Sequence, residues 1–158
     1  RCRLTMLPTP PREYRTAQAL AAVAFLMPAL LQNLPLPAAQ GAGGLWLALA
    51  AAAAYAVYLP ATVKVRPAVC SGAAATALGL YLLLFAYIHQ AAANGNSESV
   101  MLWLLYVWCS AGMLAASLVL ALWQPQAAQR SAAAAGLYGA GFALLGSVMP
   151  VIGVRLWI

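Results

Sequence analysis

Residues 100–123 read VMLWLLYVWCSAGMLAASLVLALW, a run without a single charged side chain. A helix rises about 1.5 Å per residue, so a run of this length can span the roughly 30 Å hydrocarbon core of a bilayer. Backbone groups surrounded by lipid must bond within their own segment, which a helix achieves and a single strand does not. The run therefore predicts a transmembrane helix.

The composition of the whole chain extends this prediction. Of its 158 residues, 65% are hydrophobic and 6% are charged, whereas a soluble domain has about 25% charged residues. So few charges cannot cover a surface that faces water, and we expect lipid to be the main solvent. The net charge of +6 comes from basic residues at the ends of apolar runs. They form no basic face with polar or aromatic readers between the charges, so we predict no nucleic-acid partner.

Proline, glycine and polar stretches divide the chain into five apolar runs, and none of them contains Asp or Glu. The pattern predicts an all-α, polytopic transmembrane bundle with about five spanning helices. The predicted spans are residues 16–34, 45–63, 69–88, 100–123 and 132–154. They form one transmembrane domain, residues 16–158, which follows a basic, proline-rich tail over residues 1–15.

Basic residues predict the orientation, because short loops rich in Lys and Arg stay on the cytoplasmic side. All basic residues except Arg155 fall on one side of the predicted topology. The N-terminus is therefore expected inside and the C-terminus outside, in a bacterial inner (plasma) membrane or, alternatively, an organellar inner membrane. Arg155 and Trp157 end the last run, and Lys64 and Arg66 follow the second. We interpret these four residues as interfacial anchors.

Few residues are suited to chemistry. His89 is the only histidine, and no acidic residue lies within a run. Zinc sites, bis-histidine haem sites and proton relays need more ligands or intramembrane carboxylates. Tyr87 and Trp103 are predicted to lie near His89 at the outer ends of two runs, so the three are weak candidates for contacting a cofactor such as a quinone, or a lipid head group. We therefore predict no metal site, no catalytic residue and no cofactor, with a bound lipid as a possible ligand.

Small residues recur at four-residue spacing in three of the runs, and this spacing allows helix backbones to approach closely. The candidates for a helix-packing or partner interface are Gly79, Gly112, Ala116, Gly136, Gly139, Ala140 and Ala143. Packing within this bundle is the simpler interpretation, and contact with another subunit is the alternative. In the first run, Pro28 precedes Gln32 and Asn33 by about one turn, a pattern that can line a cavity because a kinked helix frees carbonyl groups.

These features lead to three functional hypotheses. The first is a non-catalytic accessory or scaffold subunit, surrounded by lipid, that packs against the other subunits of a larger membrane hetero-complex. The second is a small transporter or channel for a neutral or lipid-like solute, lined by Pro28, Gln32 and Asn33. The third is a redox or quinone-associated subunit that uses His89. The sequence favours a non-catalytic role over an enzyme.

Overall fold

The structure, a computed structural model, describes residues 11–32, 65–94 and 99–157, and the statements below concern these residues. They form four long helices and one short helix, with no strand among them. The helices are α1 (Pro11–Gln32), α2 (Pro67–Ala93), α3 (Ser99–Trp123), α4 (Gln126–Arg130) and α5 (Ala132–Trp157). The predicted all-α fold is confirmed for the described part of the chain.

Three of these helices are long and apolar enough to cross a membrane. The suitable stretches are Pro67–Ala91 in α2, Leu104–Trp123 in α3 and Ala132–Gly153 in α5. They overlap the third, fourth and fifth predicted runs. Helix α1 contains most of the first run, and the second run, residues 45–63, lies outside the described residues. The count of five spans and the orientation stay predictions.

Prolines and a hydroxyl cap define several helix ends. Pro11 and Pro67 are the first residues of α1 and α2, a position where a missing N–H costs no helical hydrogen bond. Helix α3 ends before Gln124, whose backbone has a positive φ of 43°. Before α5, the Ser131 hydroxyl accepts a hydrogen bond from the Ala134 N–H at 3.1 Å, which satisfies one of the open donors of the first turn.

Helix α5 is the centre of the bundle, with α2 packed on one side and α3 on the other, while α1 packs against α2. Helices α2 and α5 run parallel, because Val69 packs with Ala135 near their starts and Ala77 packs with Ala143 further along. Leu120, near the end of α3, packs in the same group as Ala135. Helix α3 is therefore antiparallel to α5.

One end of the bundle collects the starts of α1, α2 and α5, the end of α3, and α4. The structure describes five charged side chains, and all of them are on these segments: Arg12, Glu13, Arg15, Arg66 and Arg130. We call this end the basic end. The opposite end contains an aromatic and aliphatic cluster in which Tyr81, Phe85, Ile88 and Tyr106 are buried and Leu31 of α1 packs against them.

The contact between α2 and α5 is made by backbone atoms. A Cβ atom placed on Gly139 would overlap the carbonyl oxygen of Val69, and one placed on Gly72 would overlap the carbonyl oxygen of Gly136. The Cβ placed on Gly72 would also lie 3.1 Å from the Ala140 backbone nitrogen. The two helices can approach this closely only because both glycines lack a side chain.

The contact between α3 and α5 uses a second glycine pair. A Cβ on Gly112 would overlap the carbonyl oxygen of Gly146, and a Cβ on Gly146 would overlap that of Gly112. Ala116 and Pro150 flank the crossing. The Ala116 Cβ is 2.8 Å from a Cβ placed on Gly146, and the Pro150 Cγ is 3.0 Å from a Cβ placed on Gly112. Helix α5 is therefore in close backbone contact on two sides.

We predict that Gly139→Ala destabilises the protein, because its Cβ overlaps the Val69 carbonyl and the backbones must separate. Overpacking of this kind costs about 1–3 kcal/mol. The unfolding temperature in detergent can be measured from the reaction of Cys70, which is fully buried, with a fluorogenic maleimide. Cys2 and Cys109 are replaced by serine in every protein compared, so that Cys70 is the reporter.

The matched control for this prediction is Gly141→Ala on the same helix. A Cβ on Gly141 would meet no atom within 4 Å, and alanine favours a helix by about 1 kcal/mol over glycine. The control should unfold at the same temperature as the parent protein or higher. Equal unfolding temperatures for the two variants would contradict the close approach of α2 and α5.

Candidate functional site

Arg66 joins three segments at the basic end. Its Nε donates a hydrogen bond to Glu13 Oε2 at 3.0 Å, and its Nη2 donates to Glu13 Oε1 at 2.7 Å. Its Nη1 donates to the backbone carbonyl of Gln129 at 3.0 Å. The planar guanidinium matches the carboxylate with two parallel bonds and still reaches a third acceptor. One side chain thus connects α1, the residue before α2, and α4.

This ion pair is shielded from solvent. The Arg66 side chain is 23% exposed and that of Glu13 is 14% exposed, so the pair is less screened than an exposed surface pair. The hydrogen bond to Glu13 raises the pKa of Arg66 above its ordinary value, while burial acts in the opposite direction. Arg66 therefore stays protonated at any physiological pH. Beyond the anchoring role predicted for it, Arg66 holds α1 and α4 together.

A cleft opens beside Arg66, between the start of α2, the end of α3 and α4. It contains about 290 Å³ of empty space. Its apolar wall consists of Val65, Val69, Leu120, Pro125 and Ala128. Its polar rim consists of Arg66, Gln124 and Gln129. An apolar wall with a few polar groups on one edge is typical of sites that bind small or amphipathic molecules.

The sequence did not indicate this cleft. Its lining residues come from three separate segments, and Arg66 and Glu13 are 53 residues apart in the chain. One signal was present, because Glu13 is one of only two acidic residues in the protein. A lone carboxylate among several arginines is a reasonable candidate for a structural ion pair.

The structure places most of the small-residue candidates between helices. Gly112 and Ala116 face α5, and Gly136, Gly139 and Ala140 face α2. Ala143 is buried and packs with Ala73, Ala77 and Met113. Gly79 differs, because a Cβ there would meet no atom within 4 Å. Contact of any of these residues with another subunit stays a prediction.

The candidates around His89 lie at the end of the bundle opposite Arg66. His89 and Tyr87 are exposed on α2, and Ile88 between them is fully buried. Trp103 lies on α3, and its side chain is outside the described part of the structure. Binding of a ligand by these three residues stays a prediction.

The cavity candidates and the predicted anchors are also untested. Pro28 and Gln32 lie on α1, and Arg155 and Trp157 lie on the last turn of α5, but their side chains are not described. Asn33 and Lys64 lie outside the described residues. Within the described residues, no group of three or more His, Cys, Asp or Glu side chains is placed to hold a metal ion.

Comparison with protein-family models, with curated proteins and with solved structures gives no match for this chain.

We predict that Arg66→Gln loosens the basic end, because it removes both bonds to Glu13 and the bond to the Gln129 carbonyl. Hydrogen bonds to charged groups contribute about 1.5–3 kcal/mol to the free energy of unfolding. Because the Arg66–Glu13 pair is partly exposed, we expect a loss near the lower value. The Cys70 maleimide assay measures the change in unfolding temperature. Arg12→Gln changes the charge equally at an exposed position and should have a much smaller effect. Equal effects of the two variants would show that the Arg66 contacts contribute nothing specific.

Proposed function

We propose that this chain is a non-catalytic integral membrane subunit that packs against other membrane proteins in a hetero-complex. A bacterial inner membrane is the location that the basic residues favour, with an organellar inner membrane as the alternative. The observation that carries the proposal is the surface of α3 that faces away from the bundle.

This surface, which we call the outer α3 face, follows one side of the helix. Its residues are exposed and recur at spacings of three and four positions. They are Met101, Leu104, Trp108, Ala111, Ala115, Leu118 and Leu122. Met113 and Leu120 lie on the other side of the helix and pack inside the bundle.

Trp108 distinguishes this face from an ordinary lipid-facing surface. Its side chain is 65% exposed, and it is the fifth residue of the apolar stretch Leu104–Trp123. It therefore lies about 6 Å inside the start of that stretch, at 1.5 Å per residue. Tryptophan at a lipid boundary is enriched at the headgroup level. Acyl chains offer no acceptor for the indole N–H, whereas a partner protein can supply one.

Two alanines next to Trp108 suit the approach of another helix. Ala111 and Ala115 are exposed and four residues apart, which is the spacing that allows close helix contact in membranes. An exposed tryptophan beside a small-residue surface resembles the arrangement of a binding hot spot, where one aromatic anchor dominates the affinity. Gly136, Gly139 and Gly146 of α5 are already engaged with α2 and α3, so the outer α3 face is the better candidate for a partner.

We predict that Trp108→Ala strongly reduces the recovery of partner proteins. Loss of a hot-spot side chain costs about 2 kcal/mol or more, which is roughly a thirtyfold loss of affinity. The measurement is quantitative mass spectrometry of the proteins that co-purify with the tagged chain in mild detergent.

Leu137→Ala is the matched control for this experiment, since Leu137 is 74% exposed on α5 and lies outside the outer α3 face. It should retain the partners at parental levels. A parent protein that purifies alone would contradict the subunit proposal. Equal retention by the two variants would contradict the outer α3 face as the contact surface.

A further inference from the structure

The cleft at the basic end lies at the boundary of the apolar layer. The stretch of α2 that can span a membrane begins at Pro67, and that of α3 ends at Trp123. The buried side chains of Val69 and Leu120 belong to these stretches, whereas Gln124 and Gln129 lie beyond them. In a membrane-spanning bundle this level is where hydrocarbon gives way to lipid headgroups.

The donors on the rim of the cleft suit an anion. A guanidinium has five N–H groups, and three of those on Arg66 donate to Glu13 and to the Gln129 carbonyl. The other two have no acceptor among the described residues. They belong to a side chain that is already ordered, so binding an anion costs little additional conformational entropy. Guanidinium N–H groups form strong, charge-assisted hydrogen bonds with phosphate oxygens.

The charges around the cleft favour the same class of ligand. Arg12, Arg15 and Arg130 are exposed at the basic end, and Glu13 is the one acidic side chain among the described residues there. Basic side chains near a membrane surface attract anionic lipid. The cleft is shallow and partly open, so a headgroup can rest at its mouth without entering it.

From these observations we propose that the cleft binds the headgroup of an anionic phospholipid. The lipid phosphate lies at the mouth of the cleft, where it accepts hydrogen bonds from Arg66. The glycerol and the first acyl carbons contact the partly exposed side chains of Val65 and Pro125. The headgroup thereby rests where α2, α3 and α4 meet.

The first experiment compares ligands on the full chain in a neutral detergent. Native mass spectrometry measures the binding of phosphatidylglycerol, of phosphatidylcholine with the same acyl chains, and of soluble glycerol phosphate. The expected result is phosphatidylglycerol bound at least fivefold more tightly than phosphatidylcholine, with weaker binding of glycerol phosphate. Equal affinity for the two lipids overturns the proposal. Equal affinity for phosphatidylglycerol and glycerol phosphate also overturns it, because the ligand would then be a free phosphate.

The second experiment places a negative charge inside or outside the cleft. Gln124→Glu keeps the size of the side chain at the rim, and we expect at least a fivefold loss of phosphatidylglycerol affinity. Gln126→Glu makes the same charge change two residues away, on an exposed residue that does not line the cleft. We expect this control to change the affinity less than twofold. Equal losses, or no loss in either variant, overturn the cleft as the binding site.

Folding is checked in each variant by the protection of Cys70 from maleimide. If Cys70 is no longer protected in Gln124→Glu, the variant Gln129→Glu is tested in its place. Gln129 also lines the rim, and its side chain is exposed. The same fivefold loss relative to Gln126→Glu is then expected, and an unchanged affinity overturns the proposal.

Discussion

The architecture depends on how closely helix backbones can approach α5. Inside a membrane, burying apolar side chains between helices yields little free energy, because lipid is as apolar as leucine. Dispersion and dipolar contacts between backbones must supply the attraction, and both fall off steeply with distance. The missing side chains of Gly139 and Gly146 allow such contacts with α2 and α3. These two crossings set the positions of α2 and α3 relative to α5.

Electrostatics complete the bundle where backbone packing ends. The described charged side chains all lie at one end of the bundle. There Arg66 binds Glu13 of α1 and the backbone carbonyl of Gln129 in α4. Backbone contacts thus position the helices within the apolar layer, and the shielded Arg66–Glu13 pair positions the segments at its edge. The cleft exists because α4 is held beside α2 without filling the space between them.

Hydropathy was sufficient to predict α2, α3 and α5, because a long uncharged run has few alternatives to a helix in lipid. The spacing of small residues identified Gly112 and Gly139 but also Gly79, whose Cβ position has no described atom within 4 Å, and it missed Gly72 and Gly146. Four-residue spacing defines a face of one helix and does not specify which face another helix meets. The Arg66–Glu13 pair and the cleft were missed for the same reason, since they depend on tertiary proximity of segments far apart in the chain.

The two surfaces proposed for binding are compatible with each other. Leu120 and Gln124 line the cleft on the side of α3 that faces the bundle, whereas Trp108 is exposed on the opposite side. Trp108 and Leu120 are twelve residues apart, which places them about 18 Å from each other along the helix axis. A headgroup in the cleft therefore leaves the outer α3 face open. A headgroup bound where α2, α3 and α4 meet would also stabilise the arrangement of these helices. The position of the outer α3 face depends on that arrangement.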